Sequence, residues 1–182
     1  MATNLEQQTT TWVIDPAHSL VEFSVRHMMF TTVKGRFGKI EGTIVEDNAD
    51  PSRSSVNVTI EAESIDTRDD RRDTHLRSAD FLHIDEHSTI TFKSTRVEPK
   101  GNEHFLVHGD LTIRGATRPV TLDVTRNGTG TNPFGMTVAG FTAETKINRK
   151  DFGLVWNMGL ETGGVLVGDE VKILIEVQAA KQ

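Results

Sequence analysis

The chain of 182 residues contains no cysteine. Disulfides, thiol catalysis, thiolate metal sites and iron–sulfur clusters are therefore excluded, while the redox compartment stays open. No apolar run approaches the roughly 20 residues that cross a bilayer as a helix, so any lipid must be carried or met from water. Basic residues are in deficit: 20 Lys plus Arg stand against 26 Asp plus Glu, a formal charge of -6, and no long basic block occurs. Nucleic acid is a poor partner for such a surface. The first residues, MATNLEQQTTTWVID, have neither the basic start nor the apolar stretch of a signal sequence, which leads us to expect a cytoplasmic protein. Neither a Gly-x-Ser-x-Gly elbow nor a Gly-x-x-x-x-Gly-Lys-Ser/Thr phosphate loop is present, so motifs argue poorly for an enzyme.

What the chain has is alternation. Hydrophobic residues make up 36%, and 15 Gly raise the apolar share to about 44%, the range of one globular domain. Val21, Phe23 and Val25 alternate with Glu22, Ser24 and Arg26, the period of a strand with one buried face. The same period marks Ile40 and Ile44, Val56 to Ala62, Ile90 and Phe92, Phe105 to Ile113, Val120 to Val124, and Val171 to Val177. With Trp12 to Ile14 this makes about eight strands, and turn residues between them favour antiparallel neighbours. Eight is the number at which a closed barrel just holds its own side chains or one ligand; a sandwich is the other architecture that fits.

One polar segment departs from this pattern. Thr67, Asp70 and the charges that follow predict a short helix over residues 67–76, with a turn over 78–82. Leu76, Phe81 and Leu82 are expected to cover one barrel end, with Ser78 as a cap and Arg77 and Asp80 holding the lid. Small residues on apolar faces, Gly42, Gly109 and Gly140, either leave interior volume or mark bulges and bends.

By phase, the lining or core candidates begin with Val21, Phe23, Val25, Ile40 and Ile44. They continue with Val58, Ile60, Ile90 and Phe92, then Val107, Leu111, Phe141 and Trp156. Ligand-lining and core residues share this signature. His27 continues the face of Val21, Phe23 and Val25 and reaches either a ligand head or a backbone partner, with Met29 beside it. The tip Met28, Met29, Phe30 would make an apolar patch suited to a homodimer or to transient membrane contact. Lys34, Arg36, Arg149 and Lys150 lie in or near turns and are head-group candidates for a diphosphate. His104 and His108 share a face opposite Phe105 and Val107, hence the outside. His83 and His87 are spaced i, i+4 with Glu86 between them, but the context reads as a turn and spacing reveals no further ligand, so no metal is expected.

Five blocks carry a resemblance: HSLVEFSVRHMMFTTVKGRFGKIEGTI (18–44), DTHLRSADFL (73–82), ITFKST (90–95), GDLTIRGATRPVTLDV (109–124) and INRKDFGL (147–154). In this order they resemble the YceI-like polyisoprenoid-binding family over about Trp12 to Val177. The resemblance implies a lipocalin-like, eight-stranded antiparallel barrel, which we expect as a single domain over 12–179 after a flexible segment 1–11. It also implies an elongated apolar pocket for an isoprenoid such as a polyprenyl diphosphate or quinone; we expect binding without cofactor or catalysis, and Phe81 of the lid is a further ligand-contact candidate. Many relatives carry a secretory signal, and by contrast this chain resembles a cytoplasmic branch. An enzyme acting on a small apolar substrate, and a filled barrel acting through protein contacts, are the alternatives.

Overall fold

A computed structural model describes residues 8–182 of the chain. Eleven strands among these residues pair antiparallel: β1 (Thr9–Ile14), β2 (Leu20–His27), β3 (Thr31–Phe37), β4 (Ile40–Asp47), β5 (Ser55–Glu61), β6 (Ile65–Asp66), β7 (Thr89–Gly101), β8 (His104–Ile113), β9 (Ala116–Thr131), β10 (Thr137–Asn148) and β11 (Val167–Lys181). Eight of them close a barrel in the order β1-β4-β5-β7-β8-β9-β10-β11, because β1 pairs with β4 on one edge and β11 on the other. Trp12 marks the seam, lying between Ile44 of β4 and Lys181 of β11. The first half of β11 offers the same edge to β2, with Val171 opposite Val25 and Ile175 opposite Val21, and β3 and β6 extend the wall there.

The all-β barrel expected from the sequence is therefore present, with a somewhat different membership. The sequence pattern marks no strand at β3, β6 or β10. Thr9, Thr10 and Thr11 pair with Asp47, Glu46 and Val45, so this part of the segment expected to be flexible is strand; residues 1–7 of it lie outside the described residues. Among the described residues no helix is long and apolar enough to cross a membrane.

The inner-face glycines do not leave empty volume. A Cβ at Gly109 would stand 2.5 Å from Phe92 Cζ, and one at Gly35 would stand 2.4 Å from Phe23 Cζ. Each glycine is a flat place on the wall across which a neighbouring ring lies. At Gly42 the space belongs to the Asn57 carbonyl, 2.3 Å from a built Cβ.

The helix α1 (Asp70–Arg77) starts three residues later than expected, with Asp69 as its cap accepting from the Arg72 N–H. Thr67 has another role. Buried Asp73 accepts from the Thr67 N–H (2.9 Å) and hydroxyl (2.5 Å), and Arg72 donates to the Thr67 hydroxyl and carbonyl (both 2.7 Å). A polar helix with little apolar face is thus fastened by charge-assisted hydrogen bonds rather than by burial. Arg77 donates to the Glu63 and Ile65 carbonyls, the Ser78 hydroxyl donates to the His75 carbonyl, and Asp80 pairs with His75 at 2.8 Å. Arg77, Ser78 and Asp80 hold this cover as the sequence suggested. Leu76, Phe81 and Leu82 reach from it into the barrel.

Candidate functional site

A cavity of about 670 Å³ runs along the barrel interior. The alternation of β11 builds one side: Val171, Ile173, Ile175 and Val177 all line it, and Val167 stands at its entrance. From Val167 to Val177 the chain takes ten steps along the strand, roughly 33 Å, or about 25 Å of height at a barrel tilt near 40°. Between the two ends the wall is almost wholly aliphatic and aromatic, and charged lining groups lie toward the ends.

The mouth is framed by the β2–β3 tip, α1 with the loop after it, and residues 153–166. His75, Phe81 and Trp156 form an aromatic cluster there, with His75 4.7 Å from Trp156 and 5.0 Å from Phe81 between ring centroids. His27, Arg26 and Arg72 border the same opening. Arg149 continues the inner phase of β10 past Ile147, but its guanidinium is buried among backbone carbonyls. It donates to Leu154, Trp156 (2.9 Å), Gly168 (2.8 Å) and Val167 (3.3 Å). Burial pushes its pKa down and Asp169, 3.7 Å away, opposes this. Arg149 is therefore the staple that fixes the 153–166 loop over the mouth, not a free cation for a head group.

The far end has its own ion pair. Arg126 Nε donates to Glu46 at 2.8 Å, Trp12 Nε1 donates to the same carboxylate at 3.0 Å, and the guanidinium lies 5.7 Å from the ring centroids of both Trp12 and Phe141. Glu103, Asp47 and Asn48 complete this end. The pair is half-buried, with side-chain exposures of 18% and 21%, so it is screened less than a surface pair.

Fifteen of the sixteen lining candidates face the cavity: Val21, Phe23, Val25, His27, Ile40 and Ile44 do so, as do Val58, Ile60, Phe81, Ile90 and Phe92, and Val107, Leu111, Phe141 and Trp156. Met29 does not. It sits in the β2–β3 tip with φ +65°, 60% exposed, packed toward Gly164. Lys34 and Arg36 also lie elsewhere, on the outer face of β3, where Lys34 approaches Glu22 and Arg36 approaches Asp66. β3 turns its odd residues Val33, Gly35 and Phe37 inward, so even-numbered residues point to solvent. Lys150 is half-exposed and pairs with Asp169.

The sequence reading missed Arg126 and Glu46. Both were visible as charges continuing an inner phase, Arg126 after Val120, Leu122 and Val124, and Glu46 after Ile40 and Ile44. The outer histidines lie as expected: His104 contacts Asp123, and His108 hydrogen-bonds Thr121 and Glu98.

A family model for the YceI-like domain matches residues 12–179. A UPF0312 protein of Vibrio cholerae is 42% identical over 145 residues, covering 79% of this chain and 77% of the relative. The crystal structure of BcnA from Burkholderia cenocepacia superposes with a TM-score of 0.77 at 26% identity, covering 91% of this chain and 98% of that one. A polyisoprenoid binding domain from Saccharophagus degradans, implicated in plant cell wall breakdown, shares the fold at a TM-score of 0.66 and 14% identity, over 94% of this chain and 98% of its own. Given a family match over nearly the whole barrel, the chain belongs to the YceI-like domain family.

Proposed function

We propose that this protein binds an isoprenoid chain, of the polyprenyl diphosphate or quinone kind, along the barrel interior and stores or carries it without chemical change. The observation that carries the reading is the long apolar cavity with charged groups gathered only toward its ends. Polyisoprenoid binding by the Saccharophagus degradans domain of the same fold adds support. At about 0.8 kcal/mol per buried carbon, ten carbons contribute roughly 8 kcal/mol gross, near micromolar affinity before ordering costs.

The two ends differ in sign, and this gives the ligand a direction. Arg26, Arg72, His27 and His75 border the mouth, whereas Glu46, Asp47 and Glu103 surround Arg126 at the far end. A diphosphate head fits the mouth, and its prenyl tail points toward Arg126. Met28, Met29 and Phe30 stand exposed beside the same mouth, Phe30 at 76%. Such a tip suits transient contact with a lipid surface during loading; pairing of two copies through it is the other use of the patch.

Equilibrium titration with prenyl diphosphates and prenyl alcohols of increasing length tests this reading. Affinity should rise with each added five-carbon unit until the lumen is full, then level off, and diphosphates should bind more tightly than alcohols of equal length. Affinity independent of chain length would overturn it.

A further inference from the structure

We propose that His83, Glu86 and His87 form a binding site for a divalent transition-metal ion of the zinc class, on the outside of the loop that follows α1. The loop is pinned from several directions. The His83 N–H donates to the Ser78 carbonyl (2.9 Å), the Ile84 N–H to the Arg77 carbonyl (3.1 Å), and Arg114 reaches over from the β8–β9 turn to the Ala79 (2.7 Å) and Phe81 (2.6 Å) carbonyls. Within it, the N–H groups of Glu86 (3.1 Å) and His87 (2.9 Å) both donate to the His83 carbonyl. These i+3 and i+4 bonds wind residues 83–87 through one helical turn, which brings positions 83, 86 and 87 to one side. Leu82 and Ile84 pack into the core and fix the other side.

One ligand atom from each of the three residues lies within 4.8 Å of the others, with His83 Nδ1 3.8 Å from Glu86 Oε2. The two imidazoles meet edge to face with centroids 6.0 Å apart. On a tetrahedral zinc ion with bonds near 2.1 Å, two ligand atoms stand about 3.4 Å apart. The 3.8 Å gap between His83 and Glu86 closes by a rotation of Glu86, whose side chain is 69% exposed, and the imidazole nitrogens, within 4.8 Å of the other ligand atoms, approach by rotation of their rings. His83 is held at φ +52°, a conformation uncommon outside glycine, and the His87 ring lies against Gly115, where a Cβ would come within 2.8 Å of it.

Two imidazole nitrogens and one carboxylate oxygen suit zinc, cobalt, nickel or copper, whereas calcium and magnesium take oxygen ligands. Water fills the coordination positions that the protein leaves. The sequence showed the i, i+4 pair but no further ligand; the folded turn supplies Glu86. The site lies outside the cavity and does not depend on what the lumen holds.

Untagged, chelator-treated protein is titrated with zinc sulfate by calorimetry, and with cobalt chloride followed by visible absorption. We expect one saturable equivalent per chain. Glu86→Gln, an exposed substitution that leaves the fold intact, should weaken binding about tenfold. His83→Ala with His87→Ala should abolish it, while the far-UV spectrum stays unchanged and His104→Ala binds normally. Absence of saturable binding up to millimolar metal would overturn the proposal, as would one equivalent retained in the double variant.

Discussion

Ala143→Phe separates an open lumen from a filled one. Ala143 lies along β10 opposite Val124 of β9 and Ile175 of β11, and its methyl group faces the cavity. In a close-packed core, a ring placed where a methyl stood forces neighbours off their rotamers and costs about 1–3 kcal/mol. Here the ring enters a space of about 670 Å³, so the change in stability should stay below about 1 kcal/mol. The ligand suffers instead. Displacing one five-carbon unit from the lumen removes about 4 kcal/mol of burial, at about 0.8 kcal/mol per carbon. That corresponds to roughly a thousandfold loss of affinity. Urea unfolding of the ligand-free variant and titration with a labelled prenyl lipid read the two effects separately. A variant destabilised by about 2 kcal/mol or more that binds lipid like the parent would refute the reasoning.

Three further outcomes follow from the geometry. Arg149→Met leaves the carbonyls of Leu154, Trp156, Val167 and Gly168 without their shared donor, and we expect about 3 kcal/mol of destabilisation with faster amide exchange over residues 153–166; an unchanged melting temperature would contradict the staple. Phe81→Ala opens the aromatic cluster with His75 and Trp156, so ligand dissociation measured by stopped flow should accelerate several-fold while the barrel keeps its far-UV spectrum; unchanged exchange would count against a lid. Glu98 is held down to about 2 by hydrogen bonds from Lys100 and His108, with Arg96 adding attraction. Because its pKa is depressed, the stabilising contribution of this outer-face network is complete above the ordinary carboxylate value and fades as the pH falls toward about 2. Carbon-detected NMR should follow that midpoint, and a midpoint at the ordinary value would rule the network out.

Much of the fold was legible because barrel strands obey one rule, inward and outward by turns. β2, β4, β8 and β11 carry apolar residues at most of their inward places, and the inner face of each could be named from phase. β10 escaped because its inner positions hold Ala139, Ala143 and Thr145 beside Phe141 and Ile147, which dilutes the apolar signal. β3 escaped because Gly35 interrupts Val33 and Phe37. On β7 a register shift between Ser94 and Arg96 moves the inner phase from Ile90 and Phe92 to Val97, and alternation alone cannot reveal a bulge. The site was less legible where charge was concerned. Proximity to turns points to Lys34 and Arg36, whereas phase sends them outward and draws attention to Arg126 and Glu46. Arg149 was recognised, but its carbonyl partners come from a loop without periodicity, so its role as a staple needed the fold.

Native mass spectrometry of protein purified without detergent, followed by solvent extraction of whatever is released, tests the binding of an isoprenoid in the lumen most directly. A stoichiometric isoprenoid is the predicted result. A protein that emerges empty and takes up no added prenyl lipid would contradict it.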